Sequence, residues 1–243
     1  MDLHITRLFY DMSILSPSEV EVLVLSIKVA LWCTVSISVP GIAIAWLLAR
    51  RDFWGKSLLD GVVHVPLILP PVVPGFLLLI LLGKQGLIGG WLYDTFGVTL
   101  AFTWIGAVVA SAVMAFPLMV RSARLAIAQV DIKLEQAASS LGANPLRVFC
   151  TVTLPLALSG IFTGLILAFS RSLGEFGATI TFVGNIEGQT RTLPLAIYTY
   201  TQMPNGELIA IRLVVLSISI ALVALVLSNY LEKRMAKRIG RVR

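Results

Sequence analysis

Residues 135–155 read EQAASSLGANPLRVFCTVTLP, and the fold turns on how this stretch is read. Just upstream, Asp131 can accept from the unpaired N–H groups that open a helix. Leu134, Ala137, Ala138 and Leu141 then recur at three-and-four spacing on one helical face. Gly142 tolerates the left-handed backbone that ends a helix. Asn144 and Pro145 restart one, as cap and first helical residue. The pattern predicts a bent elbow over 131–149, slim at its small residues, with apolar runs on both sides of it.

Those flanks set the class. Of the 243 residues 57% are hydrophobic and 13% charged, against about 45–50% and about 25% in soluble domains. A soluble fold of this size has no interior for so much apolar surface, so the chain is expected to be an all-α, polytopic integral membrane protein. Uncharged runs long enough to cross a bilayer predict five transmembrane helices, at about 20–50, 58–83, 97–124, 153–181 and 208–231, forming one domain over 1–243. The run at 192–203 is too short to cross and suits an interfacial or re-entrant helix, with Tyr198 and Tyr200 at headgroup level. No cleavable secretory signal is expected at the N-terminus.

Basic residues fall unevenly between the loops. Arg50, Arg51 and Lys56, then Arg121, Arg124, Lys133 and Arg147, then the tail from Lys233 to Arg243, all lie on one predicted side, while Arg7, Lys84, Arg191 and Arg212 lie on the other. The asymmetry places the N-terminus outside and the C-terminus in the cytoplasm. The formal charge of +6 therefore reads as topology and lipid contact, not nucleic-acid binding. Cys33 and Cys150 are expected as free thiols. Two scattered histidines supply neither a metal site nor an acid–base centre, and no G-x-x-x-x-G-K-[ST] phosphate loop is present. Catalytic residues, metals and cofactors are not expected.

The stretch EQAASSLGA…VFCTVTLP resembles the EAA loop of bacterial ABC importer permeases, with Glu135, Ala138 and Gly142 at the marking positions and Leu154–Pro155 closing it. Gln136 stands where the commonest form has Ala. The segments RRDFWGKSLLDGVVHVPLILPPVVPGFLLLILLGKQGLIG, VMAFPLMVRSARLAIAQVDIKLEQAASSLGA and AFSRSLGEFGATITFVGNIEGQTRTLP extend the likeness to molybdate transporter permeases, in the sulfate/molybdate branch. The resemblance implies a type I ABC importer permease fold in the bacterial inner membrane, with the elbow as the coupling helix. It also implies a homodimer, two copies of a cytoplasmic ATP-binding subunit and a periplasmic molybdate-binding protein. Glu135, Ala138, Gly142, Ala143, Asn144, Pro145 and Arg147 would then meet the ATPase. Tungstate, sulfate or thiosulfate are the alternative cargoes.

An ionisable residue within a span marks either a pair or a pathway. Arg171 and Glu175, four apart in SRSLGEFGAT, allow both readings: a locked ion pair, or a gate with Ser170, Ser172, Glu175 and Thr179 along the translocation path. A carboxylate is a poor partner for an oxyanion, so hydroxyls rank above Glu175 as contacts. Pro70 and Pro71, in HVPLILPPVVPG, break helical hydrogen bonding at membrane depth, where irregular backbone persists only against protein or a watery cavity. His64 reads as a satisfied polar residue and Lys28 as a snorkelling one. Asn185, Thr190 and Arg191 are candidates for docking the external binding protein.

Overall fold

The structure is a computed structural model describing residues 15–240, with side chains of 227–229 and 231–240 not described. The basic tail from Lys233, and the segment carrying Arg7, thus lie outside the described side chains. Among the described residues every regular element is helical: α1 (Pro17–Arg50), α2 (Lys56–Ile68), α3 (Val72–Leu82), α4 (Leu87–Phe96), α5 (Trp104–Ala128), α6 (Ile132–Ser140), α7 (Pro145–Val148), α8 (Leu154–Leu173), α9 (Gly177–Val183), α10 (Leu193–Gln202) and α11 (Glu207–Gly240). A π-helical turn, Phe149–Thr153, joins α7 to α8.

Among the described residues four helices are long and apolar enough to cross a membrane, or five when α2 and α3, bent by 113°, count as one crossing. Side-chain pairs mark the two ends of the bundle. At the elbow end, Arg50 closing α1 pairs with Glu135 at 2.9 Å, and Arg124 late in α5 pairs with Asp60 early in α2 at 2.9 Å. At the opposite end, Lys28 early in α1 lies 3.7 Å from the ring centre of Trp104, the first residue of α5. The segment from Asp60 to Trp104 thus runs from one end of the bundle to the other, and the bent pair α2–α3 lies on that route. The expected proline kink is a full break at Leu69–Pro71. A second departure follows α8: the run 153–181, expected as one helix, is interrupted between Leu173 and Gly177.

The core lies where α1, α5 and α8 meet. Val29, Cys33, Ala45 and Leu48 of α1 pack on Ala107, Ala110, Met119 and Ala123 of α5 and on Ala157 and Ala168 of α8, all nearly inaccessible. Lipid tails are as apolar as these side chains, so the driving force is close van der Waals fit, which small residues permit. A Cβ on Gly160 would overlap that of Ala126, so α5 and α8 are nearly in backbone contact there.

Polar ties fasten the end away from the elbow. Ser16 and Glu19 form a reciprocal capping box at the start of α1, and Glu19, 1% exposed, also meets Arg212 of α11 at 3.2 Å. Ser26 accepts the Leu193 N–H at 2.7 Å, which seats α10 against α1. At the elbow end Asp52 is exposed, its carboxyl held below the usual range by the Lys56 hydrogen bond and charge.

Candidate functional site

The elbow is built from local signals. Asp131 accepts from Lys133 N–H at 2.9 Å and opens α6. Gly142 has φ +85°, and the N–H groups of Gly142 and Ala143 return to the carbonyls of Ser139 and Ala138. Asn144 Oδ1 then accepts from Arg147 N–H at 2.8 Å, with Pro145 opening α7. No residue of α6 is buried. Leu141 is 89% and Leu146 72% exposed, so the elbow turns an apolar surface away from its own chain.

Glu135 faces the other way. Its Oε1 accepts from Arg50 Nε at 3.1 Å, Arg50 Nη2 at 2.9 Å and Thr153 Oγ1 at 2.8 Å. Arg50 also donates to the Val130 carbonyl at 2.8 Å. The carboxylate thus ties α6 to the end of α1 and to the turn that starts α8. It positions the elbow, and the outward surface is offered by Leu141, Gly142, Leu146 and Arg147.

A second constellation sits where two helices break side by side. A Cβ on Gly75 of α3 would lie 2.7 Å from the Ala178 carbonyl oxygen of α9, and one on Gly177 would lie 2.7 Å from Pro71 Cβ. Glu175, 1% exposed, links the break to both flanking helices: Oε2 meets Arg171 Nη1 at 2.6 Å, and Oε1 accepts from Ala178 N–H at 2.8 Å. The proposed path residues divide. Ser172 and Thr179 are buried within the chain, Thr179 donating to the Phe176 carbonyl at 2.9 Å, whereas Ser170, Pro70 and Pro71 are exposed. Glu175→Gln keeps an acceptor for Ala178 but turns an amide on Arg171, and should destabilise by about 2 kcal/mol, below the usual cost of breaking a buried pair because Arg171 keeps some water. Glu175→Ala also loses the cap, worth about 1 kcal/mol more. Thermal melting of the purified protein should rank wild type above Gln above Ala.

Residues 41–237 match the family described as binding-protein-dependent transport system inner membrane component. The chain belongs to that family. Among relatives of this permease, the molybdenum transport system permease protein ModB of Escherichia coli K12 is 57% identical over 229 residues, covering 94% of this chain and 100% of its own. ModB of Haemophilus influenzae is 54% identical over 227 residues, covering 91% and 97%. A solved bacterial alginate ABC transporter, in complex with an alginate pentasaccharide-bound periplasmic protein, superposes with TM-score 0.74 at 17% identity, covering 96% of this chain and 83% of that one. That likeness carries the fold, a type I ABC importer permease. The protein is a multi-pass membrane permease subunit, not an enzyme.

In the loop of the permease before α10 the docking candidates bond within the loop and to α10. Thr190 is fully buried and its hydroxyl accepts from Ile186 N–H at 2.9 Å. Arg191 donates to Asn185 Oδ1 at 3.0 Å and pairs with Glu187 at 3.1 Å, while Asn185 donates to Thr199 at 2.6 Å. These residues shape the loop from inside, and Ile186–Gln189 form its exposed crest. His64 is satisfied as expected, by Asp60. The thiols of Cys33 and Cys150 are free.

Proposed function

We propose that this permease is the membrane subunit of an ATP-driven molybdate importer, acting as a homodimer above two copies of a cytoplasmic ATP-binding subunit and below an external molybdate-binding protein. The observation that carries the coupling role is the elbow: an apolar, outward surface at Leu141 and Leu146 on a segment clamped to the bundle through Glu135. A surface of that kind calls for a protein partner, and the chain lacks a phosphate loop of its own. Arg50, Arg121, Arg124 and Arg147 gather at the elbow end, which supports a cytoplasmic elbow and C-terminus and an external N-terminus.

Closure of the ATPase pair draws the two elbows together. Through Glu135 the displacement passes to α1 and α8 as rigid-body movement between discrete packings. The path runs beside the paired helix breaks, with Pro70, Pro71 and Ser170 on its wall and Glu175, Ser172 and Thr179 holding that wall from behind. The crest Ile186–Gln189, set by Asn185, Thr190 and Arg191, receives the binding protein. Molybdate is favoured as cargo by the extent of similarity to the molybdenum permeases; tungstate, sulfate and thiosulfate are the alternatives.

The test is radiolabelled molybdate uptake by the reconstituted complex. ATP- and binding-protein-dependent uptake, blocked by tungstate and little affected by sulfate, is expected. Uptake that sulfate abolishes at equal concentration overturns the molybdate reading in favour of sulfate.

A further inference from the structure

Between α2 and α5, at the elbow end, lies a cavity of about 380 Å³ lined by Asp60, His64, Arg121, Arg124 and Leu125. Three-residue spacing puts Arg121 and Arg124 on one face of α5, and four-residue spacing puts Asp60 and His64 on one face of α2. The single carboxylate is already engaged: Asp60 Oδ2 accepts from Arg124 Nη1 at 2.9 Å, and its Oδ1 lies 3.2 Å from His64 Nδ1. Arg121 has no hydrogen-bond or ion-pair partner among the described residues. Two guanidinium groups therefore line a recess whose one carboxylate is engaged, of the two, by Arg124 alone.

Arg121 is exposed at the elbow end of α5 and lines the recess without a carboxylate of its own among the described residues. Arg121 is 17 residues beyond Trp104, about 26 Å along α5 at about 1.5 Å per residue, near the end where an imported anion leaves. A guanidinium offers forked N–H donors matched to tetrahedral oxyanions, the donors that the hydroxyls near Glu175 do not provide. We propose that Arg121, with Arg124 held in place by Asp60, forms an oxyanion site at the cytoplasmic mouth of the path. Its ligand is either the transported dianion on release or the phosphate of an anionic lipid. The site rests on the permease reading above.

The test compares wild type, Arg121→Gln, Arg121→Lys and Arg51→Gln, each as the complete complex with its ATPase and binding protein. Vesicles are made of phosphatidylcholine alone or with phosphatidylglycerol. Radiolabelled molybdate uptake and lipid retention by native mass spectrometry are read in parallel. Because Arg121 supports no contact within the fold, its substitution spares assembly; Arg51, exposed just past α1 and outside the cavity, controls for loss of a cation at this end. If the ligand is the cargo, Arg121→Gln lowers uptake about tenfold in both membranes, the size of one lost charge-assisted contact; Arg121→Lys lowers it less and Arg51→Gln leaves it unchanged. If the ligand is lipid, the loss is confined to phosphatidylglycerol membranes and that lipid no longer copurifies. Wild-type values for Arg121→Gln in both measurements overturn the site. Should wild type itself take up no molybdate, the cargo assignment fails separately, and the same comparison is made with radiolabelled sulfate.

Discussion

Glu135→Ala is expected to reduce molybdate uptake at least about tenfold while leaving the permease inserted and helical. The carboxylate oxygen it removes accepts three hydrogen bonds, two from Arg50 and one from Thr153. Arg50 is 11% exposed and Glu135 15%, so the guanidinium would lose its only charged partner among the described residues in a poorly hydrated place. Breaking one side of a buried pair costs about 3–5 kcal/mol; with some water retained and the Val130 carbonyl still bonded, about 2–3 kcal/mol is reasonable here. At about 1.4 kcal/mol per tenfold, the docked arrangement of the elbow becomes rarer by roughly thirty- to roughly a hundred-and-fortyfold. The caps at Asp131 and Asn144 are untouched, so the elbow itself persists. The signature is therefore uncoupling: ATP hydrolysis by the partner loses its stimulation by the binding protein. Glu135→Gln, which keeps an acceptor for Thr153, should fall between. Normal uptake and normal stimulation in Glu135→Ala would show that the clamp does not transmit force.

The elbow was legible because each of its signals is local. A helix cap, a glycine at positive φ and an Asn–Pro restart each act within three or four residues, and Asp131, Gly142 and Asn144 take the backbone roles their chemistry suggests. The inward turn of Glu135 was not legible, since its partner Arg50 lies 85 positions away and no periodicity connects them. The break after α8 was hidden for another reason. A hydropathy window passes over Gly174–Phe176, where no proline interrupts the run, and the bond from Ala178 N–H to the Glu175 carboxylate appears only once the chain has turned. The prolines announced a break before α3 but not its 113° angle, which depends on packing against α9. Thr190 and Arg191 were named as docking candidates on the strength of the family resemblance, and the bonds of Thr190 with Ile186 and of Arg191 with Asn185 join residues four and six positions apart within the loop. Arg121 and Arg124 were read only as topology charges, because the cavity they share with α2 exists only after the bundle closes.

Gly75→Val is expected to give the second large effect, loss of the assembled complex or of most of its uptake. The added Cβ would stand 2.7 Å from the Ala178 carbonyl oxygen and 2.8 Å from its Cα. Both are backbone atoms and cannot rotate away, so α3 and α9 must separate. Overpacking of a tight interior costs about 1–3 kcal/mol, and the two further methyls of valine press toward the upper end. Gly177 faces Pro71 with the same closeness from the other helix, so a shift of either strand of the contact is opposed by the other. Gly75→Ala should be milder, with a lower melting temperature and partial uptake. Gly90→Ala on α4 is the control, because its Cβ would sit 3.5 Å from the Lys84 carbonyl oxygen, an ordinary contact. The consequence for transport follows from what the contact joins. Two broken helices, whose irregular backbone needs protein or a watery cavity beside it, are held together at these glycines, and an alternating path requires them to move as one wall. A Gly75→Val permease that melts and transports like wild type would mean that α3 and α9 are not packed backbone to backbone.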